Sequence, residues 1–299
     1  MKVRVISDLH LDVNKLKPFS LKKDGTFTVI CGDTSGDPNK SIPWIRENVG
    51  KGLVVAGNHL VYNGRKCTIE YLRCQMAGAF KKGDDVEFLE SCDGGSFSKV
   101  VDGVLFLGSC LYTDMQWTNE CDKGFKPTVE MNRSVAYRSM NDFRWGMVSR
   151  KKGHLGAKAG MLPGDYEHWF KKTVDAFDKA LDENEKSDNP LPCFIVTHHA
   201  PSGKCIPRMY SDSAVNCAYV SDLEWFIEKH KSIKCWAYGH IHMPTEFQFA
   251  RKDGSEVLMV NNPRGYVSWG ESLGFDENLT VDTETWKVER TSKKKISRA

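Results

Sequence analysis

The sequence predicts a layered α/β domain, with helices covering a central sheet. Three observations lead there. Short apolar bursts recur along the chain, each bounded by Gly, Asp or Pro; segments of helical spacing lie between them; and histidine- or aspartate-bearing motifs stand directly behind several bursts, where a strand should end.

Taken in order, the bursts at residues 3–6, 27–30, 53–55, 86–89, 104–107, 194–196 and 235–238 are too short for helices and read as buried strands. The clearest helical pattern runs over 164–185, with apolar positions at Trp169, Val174, Phe177 and Leu181. A second covers 221–229, where Ser221 and Asp222 offer N-cap chemistry. Residues 257–260 and 279–285 are expected to supply strands of a second sheet. Residues 111–165 break the alternation and read as a loop-rich insertion forming a cap or rim. From residue 287 to 299 the chain turns basic, with Lys293, Lys294 and Lys295 in a row and no apolar face, so 1–286 is expected to be one domain followed by a solvated tail.

Among 299 residues, 40% are hydrophobic and 27% charged, enough for a sizeable core, and the formal net charge of +3 is too small and too dispersed to favour a nucleic-acid partner. No apolar run reaches the length of a membrane span, so no membrane partner is expected. Ten cysteines include no C-x-x-C pair, and Cys31, Cys110, Cys193 and Cys235 fall in expected core strands. The first apolar run reads as a strand rather than a secretory leader. A reducing cytoplasm is the expected compartment, where the N-x-S/T matches at Asn132 and Asn278 carry no glycan.

The motifs behind the bursts are ISDLH (Asp8, His10), CGDTSGD (Asp33), AGNH (Asn58, His59), VTHHAP (His198, His199) and YGHIH (His240, His242). In D-x-H and H-x-H, residues two apart on an extended segment face one way, so both members of a pair can reach one pocket. Ligands at positions 8 through 242 that must converge argue for one site. Imidazole nitrogen mixed with carboxylate and amide oxygen suits Mn, Fe, Zn, Co or Ni better than Ca.

In these motifs and their order the sequence resembles the calcineurin-like metallophosphoesterases over nearly its whole length. The resemblance implies a four-layer α/β/β/α sandwich with two divalent metal ions, Mn2+ foremost, held on loops after the strands. Carried over position by position, it implies metal one on Asp8, His10, Asp33 and His242, and metal two on Asp33, Asn58, His198 and His240, with Asp33 bridging. Two such cations clamp a phosphoryl group and ready a water for in-line attack on phosphorus. His59 faces the phosphate in that family and would serve as the catalytic group that protonates the leaving oxygen. His199 is left a supporting or packing role, and His154, His168 and His230 read as solvated surface.

Protein Ser/Thr phosphatases of this superfamily carry G-D-x-x-D-R-G and G-N-H-E, whereas here TSGDP follows Asp33 and Leu60 follows His59. Residues 57–64, 140–144, 197–202 and 262–266 instead resemble a compact microbial and phage branch with G-N-H-x-x-Y-x-G, M-N-D-[FY]-R, T-H-H-A-P-S and N-P-R-G-Y. Arg264 is a candidate to grip phosphate oxygens, against a structural arginine binding backbone carbonyls in a tight turn. Tyr62 and Arg144 are candidates for the substrate rim beside Asn58, and Asp114 for orienting a histidine or touching substrate. The expected activity is hydrolysis of a phosphomonoester or small phosphodiester, with a nucleotide among the candidates. A nuclease, a protein phosphatase and a non-catalytic scaffold of the same fold are the alternatives.

Overall fold

The computed structural model describes residues 1–62, 66–92, 95–118, 127–149 and 158–290. In chain order its strands are β1 (Lys2–Ile6), β2 (Phe27–Ile30), β3 (Lys51–Val55), β4 (Val86–Leu89), β5 (Ser98–Val101), β6 (Val104–Ser109), β7 (Met147–Ser149), β8 (Lys158–Gly160), β9 (Cys193–Thr197), β10 (Ile233–Tyr238), β11 (Thr245–Ala250), β12 (Glu256–Asn261), β13 (Thr280–Asp282) and β14 (Lys287–Glu289). The helices are α1 (Pro38–Asn48), α2 (Ile69–Ala79), α3 (Val129–Ser139), α4 (Asn141–Trp145), α5 (Pro163–Glu185) and α6 (Glu224–Lys229).

One sheet has the order β14-β13-β1-β2-β3-β4 and the other β11-β12-β10-β9-β6-β5. Each has a parallel centre, β1 to β4 in the first and β6, β9, β10 and β12 in the second, with antiparallel strands outside it. Parallel neighbours need crossovers. Helices α1 and α2 lie in the connections of the first sheet, and α5 and α6 in those of the second.

The period-two rule for strands sorts the apolar residues into layers. Val3, Val5, Val29, Leu53 and Val55 of one sheet meet Phe106, Phe194, Val196, Cys235 and Val260 of the other in a core between the sheets. The alternate residues Ile6, Ile30, Val54 and Phe88 pack against Ile45 of α1 and Leu72 and Met76 of α2. Leu107, Ile195, Trp236 and Met259 pack against Phe177 and Leu181 of α5 and Phe226 of α6. The result is four layers, helices outside two packed sheets, as the sequence led us to expect.

Several expectations need correction. Residues 279–285 join the first sheet, where β13 pairs antiparallel with β1, because Val281 packs into the core between the sheets. The basic stretch starts inside the fold: Lys287, Val288 and Glu289 pair with β13, and only 291–299, with the lysine run, lie outside the described residues. Helix α6 begins at Glu224, three residues after Ser221, because the Ser221 hydroxyl is engaged with Asp114, donating to its Oδ1 and accepting from its N–H at 3.0 Å each. Between residues 111 and 165 the described parts hold α3, α4 and the β7–β8 hairpin rather than loops alone. Helix α3 buries only Asn132 and Ala136, a single apolar residue that leaves no helical spacing to register.

His230 is fully buried, not solvated: its Nε2 lies 2.8 Å from Asp178 and its Nδ1 3.4 Å from Glu185, joining the end of α6 to α5. His168 is exposed as expected, and His154 lies outside the described residues. Cys31, Cys110, Cys193 and Cys235 are buried free thiols. Among the described residues no helix is long and apolar enough to cross a membrane.

Candidate metal centre

The carboxyl ends of the parallel strands of both sheets deliver the motif residues to one place. Asp8 follows β1, Asp33 follows β2, Asn58 follows β3, His198 follows β9, and His240 and His242 follow β10. The pairs are not on extended segments, however. Asp8 (φ 53°), His10 (φ 44°), Asp33 (φ 49°) and His240 (φ 65°) all have left-handed backbone, unusual for residues with a side chain and costing on the order of 1–3 kcal/mol each. Cross-loop hydrogen bonds hold these conformations: Asp8 N–H donates to Gly32 O, His10 N–H to Asp33 O, and Gly265 N–H to Asp8 O. Gly57 is required for a different reason, since a Cβ there would stand 1.8 Å from Asp33 Oδ1.

Three groups of candidate ligands result, each with donor atoms within 4.8 Å of one another: Asp8, His10 and His242; His10, Asp33 and His59; and Asp33, His198 and His240. His10 Nε2 and His242 Nε2 are 3.0 Å apart, and His242 Nε2 is 3.3 Å from Asp8 Oδ1. Asp33 Oδ2 lies between the groups, 3.3 Å from His198 Nε2 and 3.9 Å from both His10 Nε2 and His59 Nε2. Asn58 Oδ1 is 2.8 Å from His198 Nε2. All seven residues assigned to metal by the resemblance thus meet in one cluster, with Asp33 common to two of the three groups.

Burial and charge make the cluster a fit for cations. Asp33 Oδ2 and His240 Nε2 are buried without a hydrogen-bond partner, a costly state that a metal ion would relieve. Burial holds His10 down to about 3, the charge of His59 adding to the shift, so its ring stays neutral with a lone pair to give. Burial also opposes charge on His198, yet the carboxylates of Asp33 and Asp8 and the Cys31 carbonyl lift it to about 9. His242, opposed by burial in the same way, is lifted to about 10 by Asp8 and Glu271. Two buried carboxylates therefore draw positive charge to their neighbours, a demand divalent cations satisfy. The mixed nitrogen and oxygen donors match Mn, Fe, Zn, Co or Ni.

Supporting contacts fix the donors. His198 Nδ1 is 2.8 Å from Cys31 O, and His242 Nδ1 is 2.5 Å from Glu271 Oε2, which orients the opposite nitrogen of each ring inward. His199 has its Nδ1 3.1 Å from Cys110 O, its ring tilted at 31° to Tyr112 and its ring centroid 4.6 Å from that of His240. His59 is placed by its N–H, which donates to Asp33 Oδ1 at 3.0 Å, and its Nε2 is 3.0 Å from the Tyr266 hydroxyl.

The rim candidates divide. Tyr62 packs on His59 with ring centroids 4.0 Å apart, while Arg144 is exposed near the end of α4. Arg264 donates through Nη2 to Lys17 O at 2.6 Å and lies over Phe19, while its Nη1 is buried without a hydrogen-bond partner. Sequence reasoning missed Tyr266, Asp142 and Glu271. The first two sit inside the NPRGY and MNDFR segments already singled out, whereas Glu271 has no motif around it.

No family model matches the chain, and no curated protein sequence is similar to it. Solved structures do resemble it. The phosphopantetheinyl hydrolase of Mycobacterium tuberculosis superposes with a TM-score of 0.59 over 89% of both chains at 17% identity. The chain has the metallophosphoesterase fold. Looser likenesses are to the NAD nucleotidase of Haemophilus influenzae, with a TM-score of 0.44 and 11% identity over 98% of this chain and 55% of that one, and to a dimetal phosphatase of Danio rerio, with a TM-score of 0.43 and 13% identity over 89% and 88%.

Proposed function

We propose that the protein is a dinuclear metal-dependent phosphohydrolase. The observation that carries this is the Asp33 carboxylate, buried at the meeting point of two groups of imidazoles with one oxygen lacking a hydrogen-bond partner. Asp8, His10, Asp33 and His242 would hold one divalent ion, and Asp33, Asn58, His198 and His240 the other. Two ions there would polarise the phosphoryl oxygens and supply a nucleophilic water near neutral pH. Sharing its fold with a hydrolase supports the reading.

His59 is the group for the leaving oxygen. Its loop is anchored on Asp33, and Tyr266 steadies its Nε2, so the imidazole is held beside the cluster. Imidazole is the side chain most often placed to hand a proton to a leaving group.

Substrate is a small phosphate ester bearing a planar ring, a nucleotide being the type. Supporting this, aromatic pairs flank the cluster: Tyr62 with Trp145, 40% exposed, and Tyr266 with Trp269, 76% exposed. Exposed tryptophan beside a phosphate site can stack on a base, worth about 1–3 kcal/mol. Protein equilibrated with Mn2+, Co2+, Ni2+, Zn2+ or Fe2+ is expected to hydrolyse bis-p-nitrophenyl phosphate or p-nitrophenyl phosphate. It should prefer nucleotides to glycerol phosphates, and Trp269→Ala should narrow that preference about tenfold. Hydrolysis of none of these esters with any of the metals would sink the proposal.

A further inference from the structure

Leu60, next to His59, is buried and apolar, so the turn that carries Asn58 has no carboxylate of its own at that position. A carboxylate reaches it from a distant part of the chain. Asp142, in the first turn of α4, is completely buried and accepts three hydrogen bonds: from Asn58 Nδ2 at 2.9 Å, from the Tyr62 hydroxyl at 2.5 Å, and from the Tyr166 hydroxyl of α5. Tyr62 and Tyr166 thus clamp the carboxylate from two sides.

An asparagine amide can present either its oxygen or its NH2 to a given neighbour, and packing alone barely distinguishes the two. A carboxylate with three donors on it can only accept, so it takes the NH2 face of Asn58. The oxygen is then left pointing at His198 Nε2, 2.8 Å away, on the side of the cluster. We infer that Asp142 is the positioning residue of the second metal: it sets the rotamer that makes Asn58 an oxygen donor, and through it α4 controls occupancy of that site. The inference rests on the two-metal reading proposed above.

The test uses the full chain, stripped of metal and titrated with Mn2+ by calorimetry and elemental analysis. Wild type should bind about two ions. Asp142→Asn can pair with Asn58 in either orientation, so it should bind the first ion normally and the second 10–100-fold more weakly, the range for loss of a group that orients a ligand. Asp142→Ala should weaken the second ion likewise, and serves if the Asn variant does not fold. Tyr166→Phe, which removes one donor and keeps the carboxylate, should keep both ions. Adding Asn58→Ala to Asp142→Asn should cost less at the second site than Asn58→Ala costs in the wild-type background, because Asp142 acts there through Asn58; a merely structural Asp142 would give additive losses. Wild-type affinity for both ions in either Asp142 variant overturns the inference while leaving the two-metal reading intact. Fewer than two ions in wild type overturns both.

Discussion

Two clusters of histidine with acidic side chains occur among the described residues, and only one has the character of a functional site. Asp178, Asp182 and His230 also bring three donor atoms within 4.8 Å. That cluster is already neutralised: Lys229 Nζ stands 2.6 Å from Asp178 and 3.2 Å from Asp182, and His230 lies between Asp178 and Glu185. Its carboxylates sit on the regular helix α5. The other cluster stands on loops with left-handed backbone, its carboxylates Asp8 and Asp33 have only imidazoles as ion-pair partners among the described residues, and buried Asp33 Oδ2 and His240 Nε2 have no hydrogen-bond partner. Donor proximity alone does not mark a metal site; unmet charge and unmet hydrogen bonds do.

The sharpest way to break this contrast is Asp33→Asn. An amide cannot offer an anionic oxygen to each of two ions, so metal content should fall below one per chain and activity by about 10³-fold or more, several kcal/mol of charge stabilisation being lost. Two ions retained in that variant would remove the bridge.

His59→Ala should lower kcat by roughly 10²–10⁴-fold on esters with poor leaving groups, and much less with p-nitrophenolate, while metal content stays near two. Equal losses on both leaving-group classes would leave His59 a positioning role only.

The adjacent imidazoles sharpen the contrast inside the site. His198→Ala should lose the second ion, whereas His199→Ala, whose ring is tied to Cys110 O, should keep both. The reverse pattern would mean the wrong imidazole had been assigned.

At the other cluster, His230→Ala should leave metal content and activity unchanged and lower stability by about 1–2 kcal/mol, from lost packing and hydrogen bonds. Burial opposes ionisation of Asp178 and Glu185, but Lys229 and His230 hold the first below 3.8, and Ser232 and His230 hold the second below 4.5. Depressed folded values mean the contribution is complete above about pH 4.5 and is lost as pH falls through them. The wild-type advantage in melting temperature over His230→Ala should therefore shrink below pH 4; an unchanged gap would show that the pairing is not what His230 supplies.

Much of this was legible in the sequence, for identifiable reasons. Each expected strand is present with its bounds shifted by at most two residues, except 279–285, whose strand ends three residues early at Asp282, because short apolar bursts between Gly, Asp and Pro mark buried strands on their own. The convergence of the candidate ligands was legible because residue type and order suffice to single them out. The reason given for their convergence was not correct: Asp8 and His10 share a pocket through left-handed turns that D-x-H spacing does not encode. His230 was misread because its partners Asp178 and Glu185 lie some fifty residues upstream. Asp142 escaped for the same reason, its bond to Asn58 spanning 84 positions. Contacts of that range exist only once the layers have packed.

The most direct test is anomalous scattering from crystals equilibrated with Mn2+. Two peaks about 3.5–4 Å apart on either side of Asp33, and none between Asp178 and His230, are expected. A single peak at Asp33, or density at the α5–α6 cluster instead, would contradict the account.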